Sequence, residues 1–349
     1  MRRRVRWGVI GSGGVFTRHT VVEGLLAANH AELVAVCDVG NELERAVRSE
    51  YFIRSVGSID ELLRVGIDAV LVASEDSVRA EHVERAVRSG KHVLCEESPG
   101  HDPAQTRRII GLCHKNGVLL GSAFFLRFLP EFQRILELAR DGVLGTLRYG
   151  RVLYADCHPA PGVSIARQNP LANIGCHCID LLEMFFGEAC KVHCFSTGRS
   201  LEPDSVESSV VSLSFNNGGM GHVYVSVSPQ KDAMDNFFEL YGSQGYVTVE
   251  MAKNGKAKLI LRLYGKSAEE VICKEEYTLF PDEMNPYQAE IEEFCCAILA
   301  GDTPYNSAEL GLRSQCLLEA CQRSVREGIA VNLPFGETLL SFVGLLCCF

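Results

Sequence analysis

The sequence predicts an α/β protein in two parts: an N-terminal doubly wound parallel sheet, and a C-terminal α+β domain with a large open, mainly antiparallel sheet. Three observations predict it. The apolar run Val5–Ile10 ends in a glycine cluster, and a second run, residues 34–37, ends in an acid, Asp38. Short β-rich runs then alternate with helix-like segments up to about residue 122, the rhythm that parallel strands and their crossovers require. From about Thr146 the pattern changes to strand-like segments joined by short turns, as in an antiparallel sheet.

The first element is a strand–turn–helix–strand unit, and each part suits a dinucleotide. The turn is Gly11-Ser12-Gly13-Gly14-Val15-Phe16. Gly11 permits the tight turn off the strand, and Gly13 leaves room for a pyrophosphate beside the backbone. The following helix would aim its N-terminal amides at that charge. Phe16 stands where a small residue is usual. Asp38, at the end of the second strand, is placed to accept hydrogen bonds from both ribose hydroxyls. A carboxylate there repels a 2′-phosphate, and the next basic residue is Arg45, so NAD is expected over NADP.

Residues 42–51 then read as a helix, and Ser58 reads as the N-cap of another. Residues 68–73 form a buried strand ending at Ser74, Glu75 and Asp76, which open a helix expected over 78–89 and stopped by Gly90. A strand follows at 91–95, then a helix beginning near Asp102-Pro103 and a strand at 118–120. In the second part, strands are expected at 147–154, 209–215, 222–227, 238–241, 246–250, 259–264 and 276–279, with Asn216-Asn217-Gly218-Gly219 as a hairpin turn. Helices at 286–299 and 307–327 follow, stopped by Gly301 and Gly328. The division expected is a dinucleotide-binding domain at 1–122, a substrate and oligomerisation domain at 123–334 and an apolar tail at 335–349. That tail is too short to span a bilayer, and its expected fate is burial against the domain or a neighbouring subunit.

Composition narrows the function. The chain has 349 residues, 47% of them hydrophobic and 22% charged, ordinary for a globular protein. A net charge of -10 argues against a nucleic-acid partner, and no segment has the length of a membrane span. The 15 cysteines are scattered, odd in number and often inside apolar runs. They read as reduced core thiols of a cytoplasmic protein. The spacing of Cys157, His158, Cys176, His177 and Cys178 fits no structural zinc pattern, so no metal is expected.

These motifs together resemble the Gfo/Idh/MocA oxidoreductases, a family of NAD(P)-dependent sugar and cyclitol dehydrogenases. The resemblance runs from about Val5 to Pro334 and rests on the Gly11–Val15 turn, residues 90–96, Leu126-Arg127-Phe128 with Pro130, residues 142–146, residues 175–180 and residues 328–334. It implies a cofactor lined by Ser74, Glu75 and Glu96, and a substrate pocket shaped by Arg127, Tyr154 and His158. It also implies a homo-oligomer and a small polyhydroxylated substrate. Three departures accompany it. The family's Glu-Lys-Pro is here Glu96-Glu97-Ser98, its Thr-Pro-Asn followed by His becomes Ser74, Glu75, Asp76 and then Arg79, and its Asp-x-Gly-x-His becomes Asn173-Ile174-Gly175-Cys176-His177.

Oxidising an alcohol needs hydride loss from carbon and proton loss from oxygen, so a group titrating near neutrality must reach that oxygen. His177 is that group by the resemblance. If its helix begins early enough, Asn173 and Asp180 share its face, and either would fix the imidazole tautomer. Glu97 cannot hold an alkoxide as a lysine would. It acts as a base if burial raises its pKa, or else it faces solvent or pairs with an arginine. Arg127 is a candidate source of the missing positive charge, and its fork suits a carboxylated or phosphorylated substrate. The activity expected is hydride transfer between nicotinamide and a secondary alcohol or ketone. The alternatives are a lyase, epimerase or glycosidase that retains its NAD, and a non-catalytic NAD-binding protein.

Overall fold

The computed structural model describes residues 3–11, 20–37, 51–155, 169–197, 206–227, 237–251, 257–264, 271–279 and 285–333. Ser12 to Phe16, Asp38, residues 42–50 of the helix expected over 42–51, His158 and the apolar tail lie outside the described residues. The chain divides into two compact units, Met1–Gln133 with Pro281–Gln315, and Arg134–Phe280 with Cys316–Phe349.

The first unit holds a six-stranded sheet of β1 (Val5–Ile10), β2 (Ala31–Cys37), β3 (Arg54–Ser55), β4 (Ala69–Val72), β5 (His92–Glu96) and β6 (Leu120–Ala123). Its order is β3-β2-β1-β4-β5-β6, and every pairing is parallel. This is the doubly wound order, with its switch point between β1 and β4. At that point β1 runs into Gly11 at φ +82°, and a Cβ there would lie 2.9 Å from Ser74 Cα and 3.0 Å from Ala73 O. Only glycine fits: the backbone is left-handed and the neighbouring strand end is in contact.

Both faces of this sheet are buried, as parallel sheets require. On one face Val70, Val72, Val93 and Cys95 pack with Leu62 of α1 (Ile59–Arg64), Val83 and Val87 of α2 (Asp76–Arg88) and Ile109 of α3 (Pro103–Asn116). On the other, Trp7, Val9, Leu71 and Leu94 pack with Ile291, Phe294 and Cys295 of a helix from late in the chain. Trp7 and Phe294 have ring centroids 5.8 Å apart, and Trp7 Nε1 donates to Cys295 Sγ at 3.3 Å. A boundary at residue 122 therefore leaves out part of this unit's core, which residues 281–315 complete.

The expected caps form where side-chain chemistry dictates. Ser58 Oγ accepts from Glu61 N at 3.2 Å, and Asp102 accepts from Gln105 N at 2.8 Å with Pro103 next in the chain. Two boundaries differ from expectation. Helix α2 begins at Asp76, not residue 78, and its N-cap Glu75 makes no side-chain capping bond. Strand β6 begins at Leu120 because Gly117, at φ +64°, turns the end of α3 so that Val118 N is taken by Cys113 O at 3.2 Å.

The second unit holds a nine-stranded sheet. Its strands are β7 (Leu147–Ala155), β8 (Ala189–Thr197), β9 (Ser208–Phe215), β10 (Met220–Ser226), β11 (Phe237–Gly242), β12 (Gly245–Met251), β13 (Ala257–Tyr264), β14 (Val271–Leu279) and β15 (Val331–Asn332). The order is β14-β13-β12-β11-β7-β10-β9-β8-β15, with β7–β10 the parallel pair. The Asn216–Gly219 turn joins β9 to β10, with Asn217 Oδ1 accepting from Gly219 N at 2.9 Å. Strand β8 was not expected: a register shift between Ala189 and Lys191 breaks its period-two alternation. Further helices are α4 (Pro130–Arg140), α5 (Cys176–Phe186), α6 (Pro286–Ala300) and α7 (Ala308–Glu327). Helix α5 lies close on the sheet because Gly150 and Gly221 leave room for Leu182; a Cβ at either would come within 2.8 and 2.9 Å of it. Among the described residues no helix is long and apolar enough to cross a membrane.

Two outcomes follow from this packing. Phe294→Ala should lower unfolding free energy by about 3–5 kcal/mol in urea titration, since it empties the face shared with Trp7. Gly11→Ala should cost about 1–2 kcal/mol for the left-handed backbone alone, before its contact with Ser74 is counted, and the same titration reads it.

Candidate active site

In the first unit the C-terminal ends of β1, β4 and β5 bring together Gly11, Ser74, Glu75, Glu96 and Glu97. Ser74 is buried and held at both ends. Its Oγ lies 2.6 Å from His82 Nδ1, and its carbonyl accepts from Arg79 Nε at 3.1 Å. Burial lowers the pKa of His82, which favours the neutral ring and makes a neutral hydrogen bond to Ser74 the stable arrangement. Glu75 is exposed, whereas Glu96 and Glu97 are half-buried. The tight approach of Gly11 to Ser74 leaves the edge free of side chain where a pyrophosphate would need backbone access, so the described part of this edge fits a dinucleotide.

Glu97 adopts φ +48°, the left-handed region that a non-glycine residue occupies at a cost. The surrounding loop is tied down on several sides. Ser98 Oγ donates to Gly311 O at 3.2 Å, Arg79 Nη1 donates to Ser98 O at 3.5 Å, and Gln315 Nε2 donates to Gly100 O at 2.6 Å. Gln315 Oε1 also accepts from Thr106 Oγ1 at 2.7 Å. The loop after β5 is thus fixed by the first turns of α7, and the strain at Glu97 is paid for by that anchoring.

Arg79, on the first turn of α2, is the cation of this edge. Its Nη2 lies 2.7 Å from Asp76 Oδ1, and only 14% of its side chain is exposed. Burial opposes its charge, but Cys95, Asp76, Glu97 and Glu96 together outweigh burial and hold the guanidinium protonated. Burial also pushes the Cys95 thiol up to about 12, so at neutral pH the counter-charges are the three carboxylates. A cation therefore sits among Asp76, Glu96 and Glu97. Arg127 lies on the 3₁₀ turn Phe125–Phe128, is 5% exposed, and has its Cζ 5.5 Å from the centre of the Tyr305 ring.

In the second unit, His177 and Asp180 lie three residues apart on α5 and are 6% and 2% exposed. Asn173 does not join them. The turn Leu171–Gly175 is a π-helix, closed by Gly175 N donating to Pro170 O at 2.8 Å, and Asn173 is exposed. The wider turn breaks the three-and-four spacing on which a shared face depends, and the Asn173 side chain is exposed where the sequence predicts a partner for the imidazole. Tyr154 is half-buried on β7, opposite Val225 of β10. Three residues back on the same strand, Arg151 pairs with Glu239 at 3.0 Å.

Comparison with known proteins gives the family. The sequence profile of the GFO_IDH_MocA oxidoreductase family, NAD-binding Rossmann fold, matches residues 5–124, and that of the GFO/IDH/MocA C-terminal domain matches residues 132–248. D-glucoside 3-dehydrogenase of Escherichia coli (strain K12) is 31% identical over 240 residues, covering 62% of this chain and 68% of that protein. Myo-inositol 2-dehydrogenase of Thermotoga maritima is 25% identical over 338 residues, covering 94% and 98%. The structure of levoglucosan dehydrogenase in complex with NADH and L-sorbose matches with a TM-score of 0.81 at 18% identity, covering 95% of this chain and 99% of that one. With the doubly wound order, the glycine-limited switch point and these matches in hand, the chain belongs to the Gfo/Idh/MocA family and is an oxidoreductase with an NAD-binding Rossmann fold.

Proposed function

We propose that this oxidoreductase uses NAD to interconvert a secondary alcohol and a ketone on a sugar, cyclitol or related polyhydroxylated ring. The observation that carries the reading is the contact of Gly11 with Ser74 at the switch point, beside the carboxylates that end β5. Gly11, the Ser12–Phe16 turn, Ser74, Glu75 and Glu96 would hold the cofactor, and Asp38 would take the ribose and favour NAD over NADP. Bound there, nicotinamide supplies the hydride acceptor or donor. His177 carries the proton of the reacting hydroxyl, and Asp180 fixes its ring. Arg79 keeps positive charge at the strand edge, the electrostatic task that a lysine at position 97 would share. Arg127, Tyr154 and His158 would contact substrate. The sugar and cyclitol dehydrogenases among the relatives support this substrate class, and the NADH held by levoglucosan dehydrogenase supports the cofactor.

The outer surface of the second sheet supports self-association. Half-buried Tyr149, Tyr241, Tyr246 and Tyr264 form a row across β7, β11, β12 and β13, with successive centroids 6.0, 5.1 and 6.0 Å apart. Phe195 and Val210, paired across β8 and β9, are 59% and 38% exposed. A homo-oligomer would cover these rings. The described cysteines are thiols, in keeping with a cytoplasmic location.

One observation favours a second reading. Glu97 in place of lysine suits an enzyme that retains NAD and oxidises its sugar only transiently, as a lyase, epimerase or glycosidase would.

Denaturing the purified protein and identifying released nicotinamide by mass spectrometry, then titrating NADH and NADPH, tests the cofactor. NADH should bind more tightly than NADPH, and equal or reversed affinity would remove the role given to Asp38. A sugar and cyclitol panel monitored by NADH absorbance separates the two readings: net reduction supports the dehydrogenase, and redox-neutral turnover with retained NAD supports the second. His177→Asn should lower kcat by about 10²–10⁴ while leaving NADH affinity near that of wild type. Undiminished turnover in that variant would refute the proton role.

A further inference from the structure

Beneath the end of β5 lies an acid that the proposed reaction does not use. Glu290, on α6, is completely buried. Asn306 Nδ2 donates to its Oε1 at 3.2 Å and the backbone N–H of Phe124 donates to the same carboxyl, whereas Oε2 has no partner. Asn306 and Ser122 are also completely buried, and Asn306 Oδ1 and Ser122 Oγ have no partner either. The cluster is built into the sheet: Ser122 N donates to Asn306 O at 2.8 Å, and Ser122 and Phe124 flank Ala123, the register partner of Glu96. One oxygen of Glu96 is itself buried.

Charges facing Glu290 come from β5 and from its own helix. Burial is the largest influence and drives its pKa well above the usual carboxylate range. Glu96 and, more weakly, Glu293 push the same way, while the Asn306 and Phe124 donors pull back. A second charge beside a carboxylate in a dry site is costly, so the proton resides on the completely buried acid.

We propose that Glu290 is a positioning residue for Glu96: a neutral acid under the strand end, donating its O–H toward the Glu96 carboxylate and fixing that group at the nicotinamide edge. This role rests on the cofactor reading above. Glu96 then stays ionised because its neighbour holds the proton, and it stays in place because Glu290 is anchored from Phe124 and Asn306. Glutamine can replace a neutral acid, since its amide also donates; methionine fills the same space and cannot.

Infrared difference spectra of wild type minus Glu290→Gln at neutral pH should show the carbonyl band of a protonated carboxylic acid. Its absence would overturn the proposal whether or not the protein binds nicotinamide. NADH affinity should stay within about threefold of wild type in Glu290→Gln and fall about tenfold or more in Glu290→Met, with far-ultraviolet dichroism confirming that both fold. In a Glu96→Gln background, Glu290→Met should change affinity less than about threefold, because the group it acts through is gone. Equal losses in both backgrounds would show a structural role and overturn the positioning role. A protein that shows the acid band yet binds neither NADH nor NADPH would sink the cofactor reading and, with it, this use of the acid.

Discussion

The closeness of β1 and β4 at Gly11 is the constraint on which the rest depends. The order β3-β2-β1-β4-β5-β6 sends the chain in opposite directions from this point, and the crevice it opens is where an open α/β sheet holds its ligand. A residue with a side chain at Gly11 would have to displace the backbone of Ser74. Ser74 in turn is gripped by His82 and Arg79, both on α2, so the crevice floor is tied to the helix that covers the sheet.

The edge is unusual in its charge. Asp76, Glu96 and Glu97 gather around one guanidinium, that of Arg79 on the neighbouring helix, which gives this acidic edge its positive charge. The left-handed backbone at Glu97 and the three hydrogen bonds around its loop show that this segment is held in one costly shape, as functional loops often are.

Much of the architecture could be read before any coordinates. Gly11 announces a turn, Ser58 and Asp102 announce helices by their capping chemistry, and Asn216-Asn217-Gly218-Gly219 announces a hairpin, because each acts through neighbours a few residues away. What stayed hidden depends on distant partners. Strand β8 hides behind a bulge that spoils its alternation. The π-turn before α5 moves Asn173 off the face of His177. Arg79 and Glu290 look like ordinary helix-surface charges, and their importance lies in burial among residues from other elements.

Helix α6 covers one face of the first sheet although it lies far downstream of β1 in the chain. Trp7 and Cys295 are separated by 288 positions, yet they share a hydrogen bond. During translation the early strands leave the ribosome with that face covered only in part, by Val21 and Leu25, and the rest of its apolar surface stays exposed until α6 has been made. Chaperone demand and the damage done by premature termination are thereby set by when one late helix arrives, not by how well the early strands pair.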